Sequence, residues 1–100
     1  MSAARALARR YRLRVRFADL GSWGSGELRS EYDLRRCEIR LNRRVAARLR
    51  GNELRAFVEF AVAHELYHHR ESLGEVQPLK TQSEREAAAD AFARELVQTR

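Results

Sequence analysis

Alternating apolar and polar residues predict a strand near the start of the chain. Residues 12–17 read Arg-Leu-Arg-Val-Arg-Phe, a strict period of two. Such a period places every second side chain on one face of a sheet. We therefore expect Leu13, Val15 and Phe17 to face inward. The Ala-rich segment before them, residues 3–11, predicts a short helix.

The next alternating segment predicts a hairpin over residues 27–41. Its first arm lies near Glu27–Tyr32 and its turn near Asp33–Arg36. The second arm, residues 37–41, alternates again. Gly-rich residues 21–26 predict the loop that leads into the hairpin.

The chain has one cysteine, Cys37, so an intramolecular disulfide is excluded. This fits a reducing compartment and predicts a cytoplasmic protein. Because Cys37 alternates with Ile39 and Leu41, we expect it to be a small buried strand residue.

The period changes to that of helices after residue 42. Asn42 is a candidate N-cap for a short helix that runs through Arg50 and stops at Gly51 as its C′ glycine. Asn52 is a second N-cap candidate. Residues 53–72 contain no Gly or Pro and predict one long helix, whose first half is apolar nearly all round and therefore buried.

The loop that follows contains Gly74 and Pro78, and a last helix is predicted over Ser83–Gln98. Strands first and helices after indicate an α+β fold. We expect one domain over residues 1–100, with a small three-stranded sheet packed on the long helix and the C-terminal helix.

A metal-binding motif lies within the long helix. Residues 64–68 read His-Glu-Leu-Tyr-His, an H-E-x-x-H. Helical residues four apart project together, so the imidazoles of His64 and His68 can close on one Zn²⁺. Glu65 lies about 100° around the helix from His64, where it can act as a general base on water. Tyr67 or an arginine is a possible oxyanion donor, although packing is the better interpretation of Tyr67.

Zinc requires a third protein ligand, and the last helix offers Glu86. Two capping boxes compete there. One starts at Ser83 and would use Glu86 itself, whereas the other starts at Thr81, uses Glu84 and leaves Glu86 free. We favour the second. His69 points about 140° from His64 and is expected to be an exposed residue outside the site.

Asp90 lies four residues after Glu86 on the same face of the predicted helix. A metal-ligating histidine usually donates its other N–H to a carboxylate, which suits Asp90. A surface pair with Arg94 fits the spacing equally well.

These motifs resemble the gluzincins, and more narrowly the ImmA/IrrE metallopeptidases. The sequence Ala-His-Glu at 63–65 matches the start of their zinc helix, and Glu86, Ala89, Phe92 and Ala93 match their third-ligand helix. The resemblance covers about residues 36–96. Two positions depart from the family pattern, because the family usually has Asn where this chain has Asp90 and often has Gly at Tyr67. The minigluzincins are a similar small family with the same ligands.

The resemblance implies a zincin-like fold, one Zn²⁺ per chain and regulatory intracellular proteolysis of a protein or peptide substrate. It implies that His64, His68 and Glu86 bind the zinc and that Glu65 is the catalytic base. For such a peptidase, we expect the substrate to lie extended along the edge of the 37–41 strand. A structural zinc site would instead close the fourth position with another protein ligand.

The uneven distribution of charge along the chain suggests another interpretation, which concerns its first half. Residues 1–50 carry 14 Arg against 5 acidic residues, a net of +9, whereas residues 51–100 have a net of −3. We favour a solvated basic face as the interpretation of this imbalance. A catalytically silent zincin module could instead use the basic half to bind nucleic acid or an acidic protein. No nucleic-acid-binding motif supports this. No apolar run approaches 18 residues, so a membrane partner is not expected.

Overall fold

The computed structural model describes residues 2–21 and 28–98. The predicted loop around Trp23 and the start of the first hairpin arm lie outside these residues. The elements follow one another in chain order: helix α1 at Ala3–Arg10, strands β1 at Arg14–Ala18, β2 at Ser30–Asp33 and β3 at Glu38–Asn42, and helices α2 at Arg43–Ala46, α3 at Gly51–Ser72 and α4 at Gln82–Gln98. The predicted α+β class is confirmed.

The described strands form a mixed three-stranded sheet in the order β1-β3-β2. β1 runs parallel to β3, and β2 runs antiparallel to it as the predicted hairpin. β3 is therefore the central strand, hydrogen-bonded on both sides. The expectation that a substrate lies along residues 37–41 is wrong, because alternation reports which face is buried and not whether a strand lies at an edge.

β1 follows its predicted alternation only in part. Leu13 is buried and Val15 half-buried, but Phe17 is 46% exposed. Phe17 lies near the end of β1, at one edge of the described sheet, where its side chain lines an open groove and not the core. The prediction that it faces inward is thus wrong.

Cys37 is exposed and belongs to the turn, with φ of 50°. Its amide donates to the Leu34 carbonyl across that turn. The left-handed backbone breaks the alternation, so β3 begins one residue later, at Glu38. The predicted burial of Cys37 is incorrect, whereas Ile39 and Leu41 are fully buried as expected.

Asn42 caps α2 as predicted, because its side chain accepts from the Arg44 amide. The helix is shorter than expected and ends at Ala46. Gly51, with φ of 55°, is the first residue of α3, and Arg50 is its N-cap. Gly51 is thus not a C′ residue, and Asn52 is not a cap. Positive φ at a glycine fits either end of a helix, so the residue alone did not decide.

α3 passes through the middle of the core, where Val62, Ala63 and Leu66 are fully buried. Small residues allow close approach on both sides: Ala4 and Ala8 on α1, and Ala89 and Ala93 on α4. This packing brings α4 against the C-terminal half of α3, where Asp90 contacts His64 and Arg85 contacts Glu71. Within the described ranges, no helix is long and apolar enough to cross a membrane.

Candidate metal centre

α3 presents His64 and His68 on successive turns, as the i, i+4 spacing predicts. Their ring centroids lie 5.1 Å apart, and each side chain is about 15% exposed. The two imidazoles therefore share one face of α3 at the margin of the core. They are accessible to a small ligand.

α4 brings the carboxylate of Glu86 to both histidines. Its Oε1 lies 3.1 Å from Nε2 of His64, and its Oε2 lies 2.9 Å from Nε2 of His68. One ligand atom from each of the three residues lies within 4.8 Å of the others. The convergence expected from the sequence is thus present in the structure.

The capping choice at the start of α4 is resolved in favour of Thr81. Its hydroxyl accepts from the Glu84 amide, and its own amide donates to Glu84 Oε1. This reciprocal pair is the capping box that leaves Glu86 free. The side-chain amide of Gln82 then donates to Glu86 at 3.2 Å, which helps orient the carboxylate.

The other ring nitrogen of each histidine contacts a carboxylate of its own. Nδ1 of His64 lies 2.8 Å from Asp90, and Nδ1 of His68 lies 2.7 Å from Glu71. When Nδ1 carries the donated proton, Nε2 keeps its lone pair for a metal. Asp90 therefore contacts His64, which is one of the two roles that the sequence analysis gave it.

Glu71 is a site residue that the sequence analysis missed. Hydrogen bonds from Arg85 and His68 lower its pKa, although burial alone would raise it. Arg85 Nε donates to Glu71 at 3.1 Å. The spacing of Glu71, three residues after His68, was the available signal, since residues at i and i+3 share a helical face.

The donor set suits zinc. Two imidazole nitrogens and a carboxylate oxygen are ligands that Zn²⁺ takes in proteins. Among the described residues, no fourth Cys, His, Asp or Glu joins the group. Three protein ligands leave one coordination position for water or substrate, as in catalytic zinc sites.

Glu65 lies beside this group without belonging to it. It is buried, and it lines a cavity of about 320 Å³ together with His64, His68 and Glu86. Burial raises the pKa of Glu65, and a 2.6 Å hydrogen bond from the Ser30 hydroxyl opposes that rise. Ser30 comes from β2, so no local signal could have found it.

A second cavity, of about 810 Å³, lies on the other side of the centre. It shares Glu65, His68 and Glu86 with the first cavity. The remaining described lining includes Tyr32 of β2 and the apolar residues Val76, Pro78 and Leu79. His68 and Glu86 thus border both cavities, whereas His64 borders only the first.

His69 lies outside the ligand group, as predicted, but it is not exposed. It is 6% exposed and packs between the rings of Tyr11 and Tyr32. The Tyr32 hydroxyl lies 2.6 Å from its Nδ1, and burial lowers the pKa of the imidazole. The prediction considered only the direction of His69 around α3, whereas Tyr32 of β2 and Tyr11, just after α1, cover that face.

Tyr67 is buried, with its ring beside those of His68 and Phe92. It is not among the described lining residues of either cavity at the centre. Its packing fits the better of its two interpretations and does not support a role as oxyanion donor.

Comparison of the chain with protein-family models, curated proteins and solved structures finds no match. The functional argument therefore depends on the site itself.

Proposed function

We propose that this chain is a zinc-dependent metallopeptidase that hydrolyses peptide bonds of a protein substrate, in regulatory proteolysis inside the cell. One observation carries the proposal. Nε2 of His64 and Nε2 of His68 both face the carboxylate of Glu86, and a separate buried carboxylate, Glu65, lines the same cavity.

In this proposal, His64 and His68 bind the metal through Nε2, and Glu86 binds it through a carboxylate oxygen. Asp90 and Glu71 hold the two rings from the opposite side and fix their tautomers. When bound, Zn²⁺ supplies Lewis acidity, which activates water near neutral pH and polarises a carbonyl group.

Glu65 is the proposed general base. It takes one proton from the attacking water and passes it to the leaving amine as the C–N bond breaks. The Ser30 hydroxyl fixes one oxygen of this carboxylate, which leaves the other oxygen for proton transfer. A buried carboxylate beside a set of three ligands is expected of a catalytic site, since a purely structural zinc site does not need one.

The shape of the site favours an extended chain as substrate. Cavities on both sides of His68 and Glu86 provide a path past the centre, as an endopeptidase requires. β2 lies at an edge of the sheet that the described strands form, where the Ser30 hydroxyl donates to Glu65 and Tyr32 lines the second cavity. We therefore place the substrate along β2, by addition of a strand, and not along β3.

The proposal is tested by metal analysis and proteolysis of matched variants. We expect about one equivalent of zinc in the wild type and in Glu65→Gln, with cleavage of unfolded casein by the wild type alone. Glu86→Ala should lose zinc and activity. Glu84→Gln, two residues earlier and able to keep the cap, should retain both.

Two outcomes contradict the proposal. Equal cleavage by wild type and Glu65→Gln removes Glu65 from the chemistry. Full zinc with no cleavage of any unfolded protein, in wild type as in Glu65→Gln, favours a silent module that binds through its basic half.

A further inference from the structure

A groove of about 860 Å³ lies between α1, β1 and the first half of α3. None of its described lining residues also lines the two cavities at the metal centre. Its apolar lining comes from all three elements: Ala8, Leu13, Val15, Phe17, Leu54 and Val58. The groove is thus a concave surface separate from the metal centre.

Arginines border this apolar surface. Arg5 and Arg9 project from successive turns of α1, and Arg55 projects from α3. Arg5 and Arg9 are exposed, and across residues 2–21 and 28–98 neither forms an ion pair with a carboxylate. Glu59 is the one carboxylate in the described lining. The border therefore attracts anionic groups.

One wall of the groove is an edge strand. β1 pairs with β3 on one side, and no described strand pairs with its other side. Phe17, 46% exposed, and Val15 turn toward the groove from this strand. An edge strand with exposed apolar side chains is a template for pairing with another chain.

We propose that this groove binds an extended acidic segment of a partner protein. The segment adds to the free edge of β1 as a further strand. Its alternate apolar side chains lie against Val15 and Phe17, and its carboxylates pair with Arg5, Arg9 and Arg55.

The spread of charge favours a chain with several acids over a fatty acid or similar amphiphile. One carboxylate forms a bidentate pair with one guanidinium, whereas this border presents three, on two helices. The site is also independent of the proposed peptidase function. Arg55 precedes His64 by nine residues, about 14 Å along α3.

The probe is a fluorescein-labelled ten-residue peptide in which Glu alternates with Val and Leu. The control peptide has Lys at each Glu position. Anisotropy with the full chain should show binding of the acidic peptide, at least about tenfold tighter than the lysine peptide. In ¹⁵N spectra we expect amide shifts along β1 and α1, with nuclear Overhauser contacts between the backbones of the peptide and β1.

Charge reversal identifies the site. Arg5→Glu/Arg9→Glu should weaken binding of the acidic peptide about tenfold or more, since both guanidiniums face it. The matched control is Arg35→Glu/Arg36→Glu in the exposed turn before β3, which changes the net charge equally. It should weaken binding by about twofold at most. Phe17→Ser should weaken binding without changing the charge, and circular dichroism should show that each variant is folded.

Several results would overturn the proposal. Equal weakening by the two reversals would indicate general attraction to a basic protein. Shifts on α1 and α3 without backbone contacts to β1 would indicate a helical ligand. Displacement of the peptide by equimolar oleate would indicate an amphiphile site, and self-association abolished by Phe17→Ser would indicate a second copy of the chain.

Discussion

Nδ1 of His68 lies 2.7 Å from a carboxylate oxygen of Glu71, three residues further along the same helix. This contact holds the ring at Nδ1, while Nε2 lies 2.9 Å from Oε2 of Glu86. The arrangement at His64 is equivalent, but its carboxylate, Asp90, comes from α4. One histidine is thus oriented by its own helix and the other by a neighbouring helix.

Glu71→Gln should weaken zinc binding about tenfold, within the range of about 10–100-fold typical of such partners. The amide oxygen can still accept from Nδ1, but the negative charge that strengthens the ligand is lost. Competition with a chromophoric chelator measures the affinity. The control is Glu53→Gln, in the exposed first turn of the same helix, for which we expect no change. Equal affinities in both variants would show that Glu71 does not act on the ligand.

Asp90→Asn replaces the carboxylate with the residue usual in the ImmA/IrrE family. Because an asparagine oxygen can still accept from Nδ1 of His64, we expect zinc affinity to fall by less than about tenfold. Asp90→Ala removes the acceptor and should cause a larger fall. The same chelator titration compares the two variants. If Asp90 acted only through an ion pair with Arg94, neither variant would change the affinity for zinc.

Asn42 is completely buried, and its side chain joins separate parts of the chain. Its amide donates to the carbonyls of Gly21 and Leu28, and its oxygen accepts from two backbone amides, those of Leu20 and Arg44. Asn42→Ala leaves these groups without their partner. It should lower the free energy of unfolding by about 2–4 kcal/mol, measured by urea denaturation.

The matched control for Asn42 is Asn52→Ala. Asn52 is exposed at the start of α3, so its replacement should change the free energy of unfolding by about 0.5 kcal/mol or less. Similar losses in the two variants would contradict the role given to the buried amide.

Thr81→Ala should cost about 1 kcal/mol of unfolding free energy, because Thr81 caps α4. Ser83→Ala should be close to neutral, since Ser83 lies inside the helix. Thermal denaturation of the pair separates the two capping registers. A larger loss at Ser83 would assign the cap to that residue and contradict the structure.

The sequence predicted most of the local structure because helices and strands each have a characteristic period of apolar and polar residues. The long helix and the last helix appear close to their predicted bounds, and the hairpin is present with both strands shifted toward the C-terminus. Two of the errors fall where the local pattern has two solutions. Gly51 fits the end of one helix or the start of the next, and Cys37 continues an alternation that a left-handed residue interrupts.

The spacing of His64 and His68 is a property of one helix, so the sequence alone determined that their imidazoles meet. The sequence also identified Glu86 as the candidate from the last helix. Only the tertiary structure decided which oxygen faces which nitrogen, that Ser30 reaches Glu65, and that β3 lies in the centre of the sheet. These relationships join residues that are far apart in the chain. They depend on the close packing of alanine-lined helices and on the order of strands in the sheet, and a local sequence period does not determine either of these.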